Sequence, residues 1–286
     1  MKRVTYDLVF SLGYDCNASL ALRRAGLQFY SYPFDWTTRA PLSARVKALA
    51  SGFRPRLELQ DLEDLGGASF DRFSVQHHVV VDRATDLEFR HDFPLEQSLA
   101  EALPAVSGKY ARRATRLLDA LRTAPRVLAV FSVGFRHEEL PLTELEAAYD
   151  ALAKAFGPGR IDVLGICDDQ PDAAHETVWA GSRDGHVRRV SLAFGFHSAQ
   201  GFEVRDKALA RFLQSFLHVP DPRTPEERKT HAALERSRLY QKYHASSWGE
   251  LMANKFLFRL HRKLTKKLQK KGLLPPNEPG APGTLS

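Results

Sequence analysis

Three short runs, "VTYDLVFSL" (4–12), "RVLAVFSVG" (126–134) and "RIDVLGIC" (160–167), are apolar almost throughout and rich in β-branched and aromatic residues. Runs of that kind bury both faces, as strands of a helix-covered parallel sheet do. Segments with helical spacing alternate with them. "NASLALRRAG" (17–26) follows the first run, "SGKYARRATRLLDALRTA" (107–124) precedes the second, and "PLTELEAAYDALAKAFG" (141–157) separates the second from the third. "APLSARVKALASG" (40–52) reads as a further helix, with Pro41 near its first turn and Gly52 after its last. "HVRRVSLAF" (186–194) reads as one more strand. The expected fold is α/β, a mostly parallel sheet flanked by helices in three layers, with ligands held outside the carboxyl ends of the strands. "FSVQHHVVV" (73–81) and "DLEFRH" (86–91) are strand-like and joined by the polar "DRAT", which predicts a hairpin or a short excursion.

These elements fall within residues 1–222, read as one α/β domain. From Pro225 the spacing is helical through "PEERKTHAALERSRLYQKYHASS" and "WGELMANKFLFRLHRKLTKKLQKKG", so residues 223–274 are read as a basic helical extension. The tail 275–286, "PPNEPGAPGTLS", has nothing to bury and is expected to be disordered.

Charge is distributed unevenly. The chain carries 41 Lys and Arg against 34 Asp and Glu, but eight of the bases stand between Lys255 and Lys271 with no acid among them. Attraction to an anionic partner therefore resides in that segment. Met252, Phe256, Leu257, Leu260, Leu264 and Leu268 recur there at helical spacing. The pattern of residues 252–271 suits a helix lying on an anionic membrane surface, and equally one packing its apolar stripe on the α/β body. No known nucleic-acid-binding fold signature accompanies the cations, so nucleic acid is not expected as a partner. No apolar stretch approaches the ~20 residues of a spanning helix, and Asp7 interrupts the place where a signal peptide needs its apolar segment. Two cysteines cannot build a disulfide framework, and a reduced, cytoplasmic setting follows, with peripheral membrane contact through the basic segment as its extension. "GYDCNAS" and "GPGRID" lack the glycine-rich phosphate-binding patterns, and no histidine, cysteine and carboxylate spacing matches a zinc site. Neither cofactor nor metal is expected.

Cys16 stands between the first strand and the first helix. A thiol at a helix start meets backbone N–H groups and the positive end of the macrodipole, both of which favour the nucleophilic thiolate. A cysteine there can also be a small apolar residue filling a turn. Cys167 ends the third strand and reads as an ordinary core residue.

"SLGYDCNASLALRRAGLQFYSYPFDW" (11–36) resembles the opening of a bacterial family of papain-like cysteine peptidases, a domain of otherwise unknown function. The matching positions are Ser11, Leu12, Gly13, Cys16, Ser19 to Leu22, Arg23, Gly26, Leu27, Ser31, Pro33, Phe34, Asp35 and Trp36. "FRHDFP" resembles a second block of the family at Phe89, His91, Asp92 and Phe93, and the likeness spans about residues 6 to 170. The chain departs from the pattern at Tyr14-Asp15, which sets an acid beside the thiol, and at "VFSVGF", where an arginine is usual. The resemblance implies hydrolysis of a peptide or isopeptide bond, and a Cys-on-helix, His-on-strand order.

A cysteine nucleophile needs a base, usually histidine, and a third group to orient it. His91 is the best of eleven histidines, because it ends a predicted strand, follows Cys16 in chain order and sits in the matching block. His197, in "FGFHSAQGF", is the runner-up. His77 and His78 are strand neighbours and point to opposite faces. For the orienting acid, Asp168 and Asp169 at the end of the third strand, Asp92 and Asp35 all qualify, and Asp168 is taken as the working choice. Ser31, Asp35, Trp36 and Asp92 are the substrate-binding candidates. Trp36, Phe34 and Tyr32 could wall a pocket beside the thiol or plug the sheet edge.

Two functions of different class are consistent with these residues. One is thiol-dependent acyl transfer or hydrolysis centred on Cys16 with His91 as base, acting on a peptide or, as an acyltransferase, on surface polysaccharide precursors. The other is a non-catalytic module binding a glycan, lipid or protein.

Overall fold

The computed structural model of the chain describes residues 3–14, 16–53, 57–70, 76–133, 140–167, 178–192 and 201–233. The chain divides into two compact units, Met1–Pro222 and Arg223–Ser286. In the first, the elements in order are β1 (Val4–Thr5), β2 (Leu8–Gly13), α1 (Cys16–Arg24), β3 (Thr37–Arg39), α2 (Leu42–Ala50), β4 (Leu62–Phe70), β5 (Gln76–Asp82), β6 (Leu87–Phe89), α3 (Leu99–Thr123), β7 (Val127–Ser132), α4 (Leu142–Phe156), β8 (Ile161–Cys167), β9 (Val178–Ser182), β10 (Val187–Ser191), α5 (Gly201–Phe216) and β11 (Leu217–His218). The second contributes helical residues 225–233, begun by a reciprocal cap in which Thr224 and Glu227 each accept the other's backbone N–H.

The fold is α/β. Its main sheet runs β2-β7-β8-β10-β9, parallel from β2 to β10, with β9 antiparallel at one edge. Every residue of β2, β7 and β8 is buried, which explains why those three runs lack polar alternation. Their side chains alternate between two apolar clusters. Phe10, Leu12, Ala129, Phe131 and Val163 pack with residues of α2, α3 and α4, whereas Val9, Leu128, Val130, Leu164 and Ile166 pack with residues of α1 and α5. Gly165 lets α4 approach closely: a β-carbon there would stand 2.5 Å from Leu145 of that helix.

A second sheet, β3-β6-β5-β4, is antiparallel. The predicted hairpin is its β5-β6 pair, but two further strands flank it. β3 also touches the main sheet, through a parallel bridge from Thr38 to Tyr14, just beyond β2. α3 begins at Leu99, two turns before the expected start, because Ser98 and Glu101 form a capping box. The helix then passes through Pro104 at the loss of one backbone hydrogen bond. α5 and β11 occupy a stretch in which the sequence reading has no element. α5 buries Leu209, Ala210, Leu213 and Phe216 in the cluster that includes Ala21 and Leu22 of α1. No helix among the described residues is long and apolar enough to cross a membrane.

Candidate active site at the carboxyl end of the sheet

β2 ends in a turn of unusual backbone. Gly13 has φ +84°, and its N–H donates to the Ser11 hydroxyl at 2.9 Å. A side chain is excluded there, since a β-carbon would lie 2.4 Å from Nη1 of Arg45 and 2.8 Å from the Phe34 carbonyl. The next residue, Tyr14, also has positive φ, +97°, a conformation that costs an aromatic residue about 1–3 kcal/mol. The backbone bridge to Thr38 and an edge-on packing of its ring against Phe131, with centroids 6.1 Å apart, help hold it there. α1 starts two residues after Tyr14, and Cys16 is its first residue, half-buried and outside any disulfide. First-turn N–H groups have no carbonyl within the helix to bond, so the thiol stands where a negative charge is favoured.

Behind the turn lies Arg45 of α2, 1 % exposed. Its Nε donates to the Ala40 carbonyl at 2.7 Å, while Nη1 and Nη2 reach the Thr37 hydroxyl and carbonyl at 3.1 and 3.3 Å. This arginine sits on the same buried face of α2 as Leu42, Val46 and Leu49, a charged exception on an apolar stripe.

The spacing of the 11–36 block has a physical basis in one hydrogen-bonded network. The Ser19 hydroxyl lies 3.0 Å from the Cys16 carbonyl and 2.9 Å from that of Asp35. One turn on, Nη2 of Arg23 shares its two hydrogens among Oδ2 of Asp35 at 2.9 Å, the Ser31 hydroxyl at 3.0 Å and the Tyr30 carbonyl at 3.1 Å. Gln28 and the Tyr32 N–H supply two more donors to the same Asp35 oxygen, at 2.8 and 2.9 Å. Asp35 is wholly buried, and burial lifts its carboxyl above the ordinary 3.8 despite the opposing pull of Arg23, the Tyr32 N–H and Gln28. Trp36 is half-buried, with the Arg23 guanidinium 5.7 Å from its ring centroid. Three of the four predicted substrate-binding residues, Ser31, Asp35 and Trp36, are therefore gathered around Arg23, on the helix that Cys16 begins.

The second block approaches from the other sheet. β3 pairs with β6 through Thr38 and Glu88, so β6 is two strand spacings, about 10 Å, from the Tyr14 backbone. His91 follows β6 by two residues and is half-buried, its ring edge-on to that of His77 with centroids 6.3 Å apart. His77 is buried on β5. His78 points away from it, its Nδ1 2.7 Å from Oδ2 of Asp64. Asp92, the fourth substrate-binding candidate, is buried, accepts a hydrogen bond from the Tyr110 hydroxyl at 2.8 Å and pairs with Lys109. Burial and then the Asp92 charge hold the Tyr110 hydroxyl well above the ordinary tyrosine range, and Asp35 adds a smaller push the same way. Asp92 and Asp35 thus act on one tyrosine of α3.

Ser132 ends β7 beside β2, and Cys167 ends β8 fully buried. Asp15, Asp168, Asp169, His197 and the basic segment 252–271 lie outside the described residues. Arg23 as the hub of the first block, Arg45 behind the turn and Tyr110 beneath Asp92 were not singled out from sequence. Arg45 carried a readable signal, its charge on an apolar helical face.

Comparison with protein-family models matches residues 7–155 to the family described as "Putative papain-like cysteine peptidase (DUF1796)". No curated protein and no solved structure matches the chain.

Proposed function

Because the chain belongs to this family of papain-like cysteine peptidases, we propose that it is a thiol hydrolase in which Cys16 is the nucleophile, His91 the base and Asp168 the group that orients the base. The observation that carries this reading is the position of Cys16: half-buried, first in α1, two residues after Tyr14, whose positive φ strains the backbone at the carboxyl end of a sheet strand. Strain of that kind persists where the surroundings over-determine it, and it clusters at reactive sites.

The chemistry runs in two halves. The Cys16 thiolate attacks the carbonyl carbon of a peptide or isopeptide bond, and the oxyanion that forms faces the first-turn N–H groups of α1. The tetrahedral species collapses by expelling the amine, which takes its proton from His91, and leaves a thioester on Cys16. Water then attacks the thioester as His91 removes its proton, releasing a carboxylic acid and the free thiol. If a hydroxyl group replaces that water, the same groups transfer the acyl chain to an alcohol. Acyl transfer to surface polysaccharide precursors is the second reading of the same groups. In either case Ser31 and Trp36 are the substrate contacts, while the buried carboxylates Asp35 and Asp92 act through Arg23 and through Tyr110 and Lys109.

The deciding experiment is labelling of the full chain with an electrophilic thiol probe. Cys16→Ala should abolish labelling of the folded protein and Cys167→Ala should not. Equal labelling rates for the folded and urea-unfolded chains would leave the thiol without activation and turn the reading to a non-catalytic binding module.

A further inference from the structure

Along α3, Lys109, Arg113 and Arg116 are spaced four and three residues apart and form one stripe beside the buried face of Tyr110, Ala114 and Leu117. Lys109 is neutralised by Asp92. The other two are not. Among the described residues neither Arg113 nor Arg116 has a carboxylate within ion-pair distance, and the two acids nearby are already engaged, Asp92 by Lys109 and Tyr110 and Asp35 by Arg23, Gln28 and the Tyr32 N–H. Arg116 donates once, to the Ser31 carbonyl at 3.1 Å, and lies 5.4 Å from the Tyr30 ring centroid. Arg113 lies 5.1 Å from the Tyr110 ring centroid, and its Nη1 is buried with no hydrogen-bond partner among the described residues.

A guanidinium nitrogen removed from water and left unbonded is costly, and each such group in a native protein calls for an explanation. The stripe is also joined to the helix that Cys16 begins. Arg116 holds Ser31, Ser31 accepts from Arg23, and Arg23 stands on the same face of α1 as Cys16, about 10 Å along the axis.

We propose that Arg113 and Arg116 form a subsite for an oxyanionic group of the substrate, a phosphate or a carboxylate, carried at a distance from the bond that Cys16 attacks. The planar fork of arginine suits both anions. The inference rests on the thiol reading only in assigning the anion to the substrate; the anion site itself stands or falls separately.

The experiment is thermal unfolding of the full chain in increasing inorganic phosphate, and in a parallel series of succinate, against sodium chloride at matched ionic strength. One of the two anions should raise the melting temperature saturably, and the one that does identifies the group. Arg113→Gln/Arg116→Gln should weaken the apparent affinity at least tenfold, Arg113→Lys should weaken it less, and Cys16→Ala should leave it unchanged. Should the double variant be unfolded, the exposed-site variant Arg116→Gln alone serves, with a several-fold loss expected. Undiminished stabilisation in the glutamine variants would assign the anion to the basic segment 252–271, and an absence of stabilisation by either anion would also overturn the proposal. A failed thiol-labelling experiment with retained, arginine-dependent phosphate binding would remove the catalytic reading and leave the anion site.

Discussion

Arg23 and Asp35 meet at 2.9 Å with unequal burial: the guanidinium side chain is 25 % exposed and the carboxylate not at all. The pair joins the helix that Cys16 begins to the 30–36 segment. Removing the cation strands a buried carboxylate, whereas removing the negative charge leaves a guanidinium that can still reach water. Arg23→Met should therefore cost about 3–5 kcal/mol. Asp35→Asn should cost less, because its carbonyl can take over the three donors of Oδ2 while its amide replaces Oδ1, which accepts no hydrogen bond among the described residues. Urea denaturation of the two single variants and the double variant measures the coupling, and an Asp35→Asn cost equal to that of Arg23→Met would contradict this account.

The same residue predicts a pH dependence. Asp35 has its folded-state affinity for a proton raised above the ordinary 3.8, chiefly by burial. Between the unfolded and folded values the native state binds more protons, so this residue's contribution to stability is fully present below about pH 4 and is lost as pH rises through the folded value. Plotted against pH, the stability of the wild type minus that of Asp35→Asn should fall across that window. A difference rising with pH would mean that the Arg23 charge, and not burial, dominates.

Gly13 tests the turn itself. Gly13→Ala sets a β-carbon against Nη1 of Arg45 and the Phe34 carbonyl at φ +84°, and neither neighbour has room to withdraw. A loss of about 2–4 kcal/mol is expected from strain and overpacking together, read from the chemical denaturation midpoint. Ser98→Ala is the matching control, since it removes an exposed cap remote from the turn and should cost only about 1 kcal/mol.

The main strands were legible because burial on both faces leaves an unmistakable apolar run, and α1, α2 and α4 carry their spacing in the sequence. The second sheet was only half legible. β3 is three residues long and β4, "LEDLGGASF", is polar and glycine-rich, so their pairing depends on distant partners that local pattern does not reveal. α5 has Leu209, Leu213 and Phe216 at helical spacing, but a glycine opens it where a capping residue would have announced it. At the candidate site the motif residues were visible and their connections were not. That Ser31, Asp35 and Trp36 converge on Arg23 follows from a loop that folds back on α1, and a loop has no period to read.

His91 gives the sharpest test of the proposed pair. If its imidazolium stabilises the Cys16 thiolate, the rate of alkylation by iodoacetamide should reach half its maximum at a pH below that of the unfolded chain, whose thiols titrate near the free-cysteine value of about 8.5. His91→Gln should move that midpoint upward by roughly a unit, as loss of a nearby positive charge requires. His77 touches the His91 ring at its edge and has a different expected signature. His77→Phe should alter the maximal rate through the placement of His91 and leave the midpoint closer to that of the wild type. A midpoint indifferent to His91→Gln would transfer the role of base to another histidine, with His197 the first to be tried.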